Sequence, residues 1–377
     1  MQNKETIKKK KVVHITTVHP PFDTRIFYKE CVSLAQDNFE VYLIHTKSEN
    51  FDANKFKENK IKPVLLNKPS NRLNRIIKST KLALKEALKL KADIYHLHDP
   101  ELLLIANKLK KSGAMVVYDM HEDYYTSIEQ KKYIFKPLRL LIANLFRTYE
   151  KRKLKNLKLI IAEKYYKDSF PQGKTILNYP VLENNYKGIS FKNNNRLLYT
   201  GNVTEDRGAL IHSEIPTYVD GVKVKFVGKC SSKVANKMKR FEEQKDRIEI
   251  KGVDEFISRE EIDKEYNNNY WLAGLAIFPP TEHYMEKELT KFFEYMYAGL
   301  PMIVSDFPKW KEFVEKHQCG IAVKYNNRDE IKAAINYFNN NPDIAKKMGE
   351  NGQKAIIEEL NWSKEAQKLI DLYKSFS

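Results

Sequence analysis

Short apolar runs rich in β-branched residues recur along the chain, each followed by a polar or Pro/Gly-marked break and then an amphipathic stretch. The first run, Lys11 to Thr17 (KVVHITT), reads as a buried strand. A Pro-Pro loop, an amphipathic stretch from Arg25 to Gln36 and a second run from Glu40 to His45 follow. That β-loop-α-β opening is the start of a parallel, doubly wound sheet. The alternation continues with strands predicted over Asp93 to His98, Met115 to Asp119, Leu159 to Ala162 and Thr175 to Asn178, and a helix over Leu102 to Lys111. Leu182 to Asn195 is polar, asparagine-rich and poor in apolar residues, which is linker composition. A second series then begins, with strands predicted over Arg196 to Thr200, Val222 to Val227, Ile248 to Ile250, Leu275 to Phe278, Met302 to Ser305 and Gly320 to Val323. A helix is predicted over Phe292 to Tyr297. Two consecutive β/α series around one linker predict an α/β protein of two Rossmann-like lobes facing across a cleft, divided as 1–180 and 181–360.

Composition supports two domains. The chain has 377 residues, 42% apolar and 12% aromatic, enough for two cores and too apolar for global disorder. Three scattered cysteines, Cys31, Cys230 and Cys319, form neither a metal-type spacing nor a disulfide framework, so a reducing compartment is expected. The lysine-rich start, Met1 to Lys11, is not followed by an apolar signal region. No stretch approaches the ~18 apolar residues of a spanning helix. A cytoplasmic protein, not integral to a membrane, is the expectation. The net charge is +17 and lies almost wholly in one half: residues 1–170 hold 35 Lys and Arg against 19 Asp and Glu, the rest 31 against 30. A lysine-biased proteome would load both halves. The asymmetry fits an anionic partner, and nucleic acid, acidic phospholipid or a phosphorylated acceptor would each qualify. No nucleic-acid recognition motif accompanies it, so nucleic acid is not expected.

The sharpest chemical signal is Glu286 to Gly299, EKELTKFFEYMYAG, between an apolar strand with a Pro-Pro exit and the strand in LPMIVSD. Open α/β sheets bind ligands beyond the carboxyl ends of their strands. A helix starting near Thr290 would offer free N–H groups and a positive dipole end to a diphosphate, with Lys287 and Lys291 adding charge. Glu294 sits in an apolar run where an unpaired carboxylate is costly, and it is placed to accept ribose hydroxyls. Glu286, in the preceding loop, is free to touch a sugar. His121 and Glu122 follow the strand VVYDM at its carboxyl end, where a histidine can bond a sugar or relay a proton. The alternative is a histidine satisfied by Asp119 or Asp123. His96 and His98 invite a metal reading, but no third ligand is visible in the sequence, so no metal is expected. His14 reads as a satisfied core residue. In the loop HPPFDTR, Asp23 and Arg25 are candidates for acceptor contact, and Asp23 is equally a helix N-cap. The stretches Arg72 to Lys91 and Lys131 to Lys158 are basic and amphipathic. They are ordinary packed helices with a solvated face, or a docking surface for anionic lipid.

Glu286 and Glu294 have the spacing of the E-x7-E motif, and TKFFEYMYAGLPMIVSD resembles the corresponding segment of retaining glycosyltransferase family 4, which has the GT-B fold. HPPFDTRIFYKECVSLAQDNFEVYLI, IYHLHDPELLLIA, VVYDMHEDYY, LLYTGNVTEDRG and LNWSKEAQKLIDLYKSF resemble further segments of a bacterial surface-polysaccharide branch of that family, in order and along essentially the whole chain. The resemblance implies that 361–377 is a closing helix crossing back to the N-terminal lobe, that the N-terminal lobe binds acceptor and that the C-terminal lobe binds donor. It implies a donor-sugar contact for Glu286, a ribose contact for Glu294, a diphosphate contact for Arg207 and a place for His121 in the sugar pocket. Gly201 ends the first C-terminal strand, and Asn202 stands where the family often has arginine. The frequent glycine-proline segment inside the motif is replaced by Lys287-Glu288-Leu289-Thr290, whose Leu289 and Thr290 N–H groups can still serve. The implied activity is a metal-free retaining hexosyltransferase that uses a UDP- or GDP-sugar. Its acceptor would be a glycan or polyprenyl-linked molecule, and it would rest on the inner face of the cell membrane through its basic lobe. A nucleotide-sugar epimerase and a non-catalytic scaffold of the same fold remain as alternatives.

Overall fold

The computed structural model describes residues 9–49, 51–129, 135–182, 194–241, 246–268 and 271–376. The chain forms two compact units, Met1–Asn178 with Trp362–Ser377, and Tyr179–Asn361. The interlobe linker read from the sequence falls mainly on 183–193, outside the described residues.

The first unit is built on seven parallel strands: β1 (Lys11–Ile15), β2 (Glu40–Thr46), β3 (Ile61–Leu66), β4 (Ile94–Leu97), β5 (Met115–Met120), β6 (Lys158–Ile161) and β7 (Lys174–Thr175), in the order β3-β2-β1-β4-β5-β6-β7. Apolar side chains fill both faces, as a parallel sheet covered by helices requires. The strand β3 (IKPVLL) escapes the sequence reading because Pro63 interrupts it. Proline is tolerated here because β3 is the sheet edge, paired only with β2. The expected strand Thr175 to Asn178 is cut to β7, because the backbone beyond it bonds elsewhere: Ile176 O accepts from Arg25, Leu177 N–H donates to Glu365 and Asn178 O accepts from Lys29. The closing helix Trp362–Lys374 lies in this unit. Trp362, Leu369 and Tyr373 enter its core, and Trp362 Nε1 donates to Ser33 at 2.9 Å.

The second unit carries six parallel strands: β8 (Arg196–Thr200), β9 (Lys223–Cys230), β10 (Ile248–Val253), β11 (Ala273–Ala276), β12 (Met302–Ser305) and β13 (Gly320–Val323), in the order β10-β9-β8-β11-β12-β13. The strand expected over Leu275 to Phe278 starts and stops two residues earlier. The N–H and C=O of Phe278 both bond the Ser305 hydroxyl, which ends the ladder. In each sheet the strand order reverses at one place, between β1 and β4 and between β8 and β11. Doubly wound sheets bind ligands beyond the carboxyl ends of their strands at such a switch point. No helix among the described residues is long and apolar enough to cross a membrane.

Candidate functional site

Beyond the carboxyl ends of β8 and β11 in the second unit, the chain makes two turns that carry cations. Gly201 follows β8 with φ +92, and nothing lies within 4 Å of where its side chain would stand. Asn202 is held by its carbonyl, which accepts from Tyr199 Oη at 2.8 Å. The turn Glu205–Arg207 ends at Gly208, where φ is +77 and a Cβ would come within 2.0 Å of Ile277 O. Only glycine lets this turn lie against the end of β11. Arg207 Nε donates to Tyr284 Oη at 2.9 Å, and Tyr284 in turn donates to Asp206 at 2.8 Å.

The second turn leads into the helix Thr290–Tyr297, with Leu289 at its N-cap and no side chain capping it. Its first N–H groups and its positive dipole end therefore stay available to an anion. Tyr295 Oη pins the helix under the sheet by bonding Leu198 O and Leu275 O. Trp310 Nε1 anchors the preceding loop at Lys287 O, 2.7 Å away. Lys291 points inward. It is 8% exposed, and its ammonium sits 3.5 Å from the centre of the Tyr199 ring and 4.9 Å from that of Phe278, with no hydrogen-bond partner among the described residues. Burial holds its pKa well below the ordinary lysine range and Arg207 adds to this, while Glu294 opposes it.

Glu294, one turn into the helix, has partners that the sequence reading lacks. Arg259 pairs with one carboxylate oxygen, and Tyr266 Oη donates to the other at 3.2 Å while also bonding Thr200 Oγ1 at 2.8 Å. The premise of an unpaired carboxylate is therefore corrected. Glu294 is an oriented acceptor with 15% of its side chain still exposed. Arg259 lies in an acidic helical stretch, Arg259–Asn268, with no local signal that would single it out. Glu286 stands apart, half-exposed and paired with Lys309 at 2.6 Å. Arg207, Lys291 and Glu294 thus come together; Glu286 is not bonded to them.

The first unit holds the remaining candidates, near the carboxyl ends of β1, β4 and β5. Asp119 organises them. Arg25 grips it with two bonds of 2.8 and 2.9 Å, and His121 Nε2 lies 2.9 Å from it. Burial opposes ionisation of Asp119, but Arg25 and then His121 outweigh it and hold its carboxyl well below the usual range. His98 Nδ1 is 3.0 Å from His121 Nε2, so both readings of His121 meet here: Asp119 satisfies it, and 13% of its side chain remains exposed. Asp23 caps its helix through the Arg25 and Ile26 N–H groups, both at 2.9 Å, and bonds His19 at 3.2 Å. The expectation for Arg25 is corrected. It is 4% exposed and spent on Asp119, Glu30 and Ile176 O, so it is a core ion pair and not an acceptor contact. The structure also gives His96 and His98 the neighbours the sequence hides, His14 and Glu30.

Two family profiles match the chain, "Glycosyltransferase Family 4" over residues 24–163 and "Glycosyl transferases group 1" over 210–355. No curated protein matches it by sequence. Among solved structures it is similar to Anabaena HepE in complex with UDP and glucose, with TM-score 0.70 and 13% identity over 97% of this chain and 100% of that one. It is also similar to sucrose-phosphate synthase from Thermosynechococcus elongatus (0.69, 15%, 97% and 98%). A glycosyltransferase from Rickettsia africae ESF-5 gives 0.67 at 14% identity, covering 98% of each chain. At these identities the likeness is one of fold, the GT-B arrangement of two Rossmann-like units.

Proposed function

We propose a specific reaction for this chain, which belongs to the family 4 glycosyltransferases: transfer of a sugar from a nucleoside-diphosphate sugar to a glycan or polyprenyl-linked acceptor, with retention of configuration, in polysaccharide assembly. The observation that carries the proposal is Lys291, a buried amine without a hydrogen-bond partner among the described residues, beside Arg207 and at an uncapped helix start. Such a group is completed by a bound anion, which favours its charged form. A diphosphate does so with two or more acceptor oxygens, and Leu289 and Thr290 supply N–H groups to it. Glu294, held by Arg259 and Tyr266, takes the ribose hydroxyls. Glu286 is the candidate for the transferring sugar.

No positioned nucleophile accompanies these groups, and the chemistry we infer is displacement on the face from which the diphosphate leaves. Arg207, Lys291 and the helix start stabilise the charge that grows on the leaving diphosphate, in place before the reaction begins. That role needs no metal at the donor phosphates. HepE, a structural relative, is solved with UDP and with UDP-glucose, which favours a UDP-sugar as the first donor to test.

The acceptor side rests on the first unit. The helix Lys136–Leu154 exposes Leu138, Leu141, Ile142 and Leu145, with Phe135 just ahead of it. Positions spaced by three and four residues form one apolar stripe, and Lys136, Arg139 and Lys151 to Lys153 supply basic charge. This composition fits an interfacial helix on anionic lipid. Residues 130–134 of the basic stretch lie outside the described residues.

A thermal-shift panel of UDP, GDP, ADP, dTDP and CMP on wild type and Glu294→Ala tests the donor reading. One nucleotide is expected to raise the wild-type melting temperature and to lose that effect in the variant. No shift from any nucleotide would sink it. For the acceptor side, sedimentation with liposomes should pull the protein down only when anionic lipid is present.

A further inference from the structure

At the centre of the first unit lies a cluster of imidazoles that the proposed transfer does not use. His14 on β1 and His96 on β4 are paired in register, and His98 follows β4 on the same face. Glu30 reaches them from the helical segment Thr24–Cys31. All four side chains are essentially inaccessible, and one ligand-capable atom from each lies within 4.8 Å of all the others. His14 Nδ1 is 2.9 Å from His98 Nε2. Glu30 Oε2 is 3.9 Å from His14 Nδ1, 3.7 Å from His96 Nδ1 and 3.9 Å from His98 Nε2.

From this geometry we propose that His14, His96, His98 and Glu30 form a closed, structural site for a divalent transition-metal ion, with zinc the best fit. Zinc bonds of about 2.0–2.1 Å in a tetrahedron place ligand atoms about 3.3 Å apart. The distances between these atoms bracket that value on both sides, from 2.9 Å up to at most 4.8 Å. Three imidazoles and one carboxylate are a ligand set suited to zinc, and the burial of all four leaves no open coordination position. The site would therefore hold the fold and not act on substrate.

The second, independent observation is what the cluster lacks. Glu30 Oε2 receives no hydrogen bond among the described residues, although it faces three imidazoles, and on its other side the carboxyl group meets Arg25, 3.2 Å from Oε1, and the Asp119 carboxyl. The imidazole nitrogens that face it are engaged elsewhere, His14 Nδ1 with His98 Nε2 at 2.9 Å and His96 Nδ1 with the Tyr373 hydroxyl at 2.6 Å. A dication satisfies the carboxylate and all three rings at once. The outer contacts also suit a bound metal. The other nitrogen of His98, Nδ1, bonds His121 Nε2 at 3.0 Å, with Asp119 3.6 Å away, which orients a ring that ligates through Nε2. The Tyr373 hydroxyl, 2.6 Å from His96 Nδ1, is the one group that competes with the ion for a nitrogen.

The test uses untagged full-length protein, stripped by chelator and dialysed against ZnCl2 or CoCl2. One zinc per chain by mass spectrometry, a higher melting temperature with zinc, and the visible bands of four-coordinate cobalt are expected. X-ray absorption on the wild type should show three imidazoles and one oxygen. His96→Gln and His14→Gln should lose the metal, while His45→Gln, outside the cluster, should keep it. Tyr373→Phe should bind zinc more tightly, since the competing hydroxyl is gone. Absence of stoichiometric metal in the wild type, retention of metal by both cluster variants, or fewer than three imidazoles around the ion would each overturn the proposal. The wild-type measurements decide it even where a variant fails to fold.

Discussion

Replacing Lys291 with methionine should have two effects of opposite sign. In the ligand-free protein the amine is a liability, because it is buried, has no hydrogen-bond partner among the described residues and is repelled by Arg207. Methionine fills a similar volume without a polar atom. Removing an unsatisfied buried group returns about 1–3 kcal/mol. The stacking of the ammonium on Tyr199 at 3.5 Å gives back about 0.5–2 kcal/mol where the amine is charged. A net stabilisation of roughly 1 kcal/mol is expected, read as a higher denaturation midpoint. With donor bound the sign reverses. Truncating one partner of a buried charge pair costs about 2–5 kcal/mol. At about 1.4 kcal/mol per decade, that weakens nucleoside-diphosphate binding by about 30-fold to about 4,000-fold.

The pH dependence follows from the direction of the shift. The folded pKa of Lys291 lies below its unfolded value, because burial disfavours the charged form. Between those two values the unfolded chain binds more protons, so stability rises with pH across that window, and Lys291→Met should remove that rise. Diphosphate binding favours the charged amine, so the wild type should take up protons on binding and the variant should not. Calorimetry in buffers of different ionisation enthalpy measures this directly. A Lys291→Met protein that binds the diphosphate within about threefold of wild type would refute the assignment.

Glu294→Ala leaves Arg259 and Tyr266 without their acceptor and should weaken donor binding by about 1.5–3 kcal/mol, the range for hydrogen bonds to charged groups. Arg259→Ala should be non-additive with it, and additive effects in a double-mutant cycle on nucleotide affinity would show that the pair does not act as a unit. Asp119→Asn leaves Arg25 short of its main partner in the core and should cost about 3–5 kcal/mol in chemical denaturation. Because the folded pKa of Asp119 is depressed, its contribution is present above the unfolded value near 4 and is lost as pH falls through the folded one, so the variant's acid limb should be flatter. Gly208→Ala drives a Cβ into Ile277 O and should cost about 1–3 kcal/mol of backbone strain; unchanged stability and donor affinity would show that this turn is not held as described.

The strands of the second unit were largely legible because each is a short apolar run, and Arg196–Thr200, Met302–Ser305 and Gly320–Val323 begin and end where the pattern places them. Two features were not. The strand Ile61–Leu66 carries a proline that a central strand would exclude, and only its place at the sheet edge makes it admissible. Glu30 and His14 are 16 positions apart in sequence, on a helix and a strand, and nothing local marks them as neighbours of His96 and His98. Periodicity reports which way a residue faces. It does not report which distant residue faces it.

That limit applies to Glu294 and Arg25 alike. Glu294 read as a site residue because an unpaired carboxylate is costly in an apolar run, and Arg25 as a polar loop residue open to acceptor contact. Each proves to be paired, Glu294 with Arg259 and Arg25 with Asp119, so pairing does not separate a site from a scaffold. Two other properties do. The Arg25–Asp119 pair is sealed, at 4% and 0% exposure, with both carboxylate oxygens bonded by the guanidinium. Glu294 keeps an exposed edge, and Lys291 on the same helix is an amine left without a hydrogen bond among the described residues. A sealed pair accounts for itself within the fold. An oriented carboxylate next to an uncompleted amine calls for a third group, and a nucleoside diphosphate brings both the hydroxyls the first can accept from and the anion the second lacks.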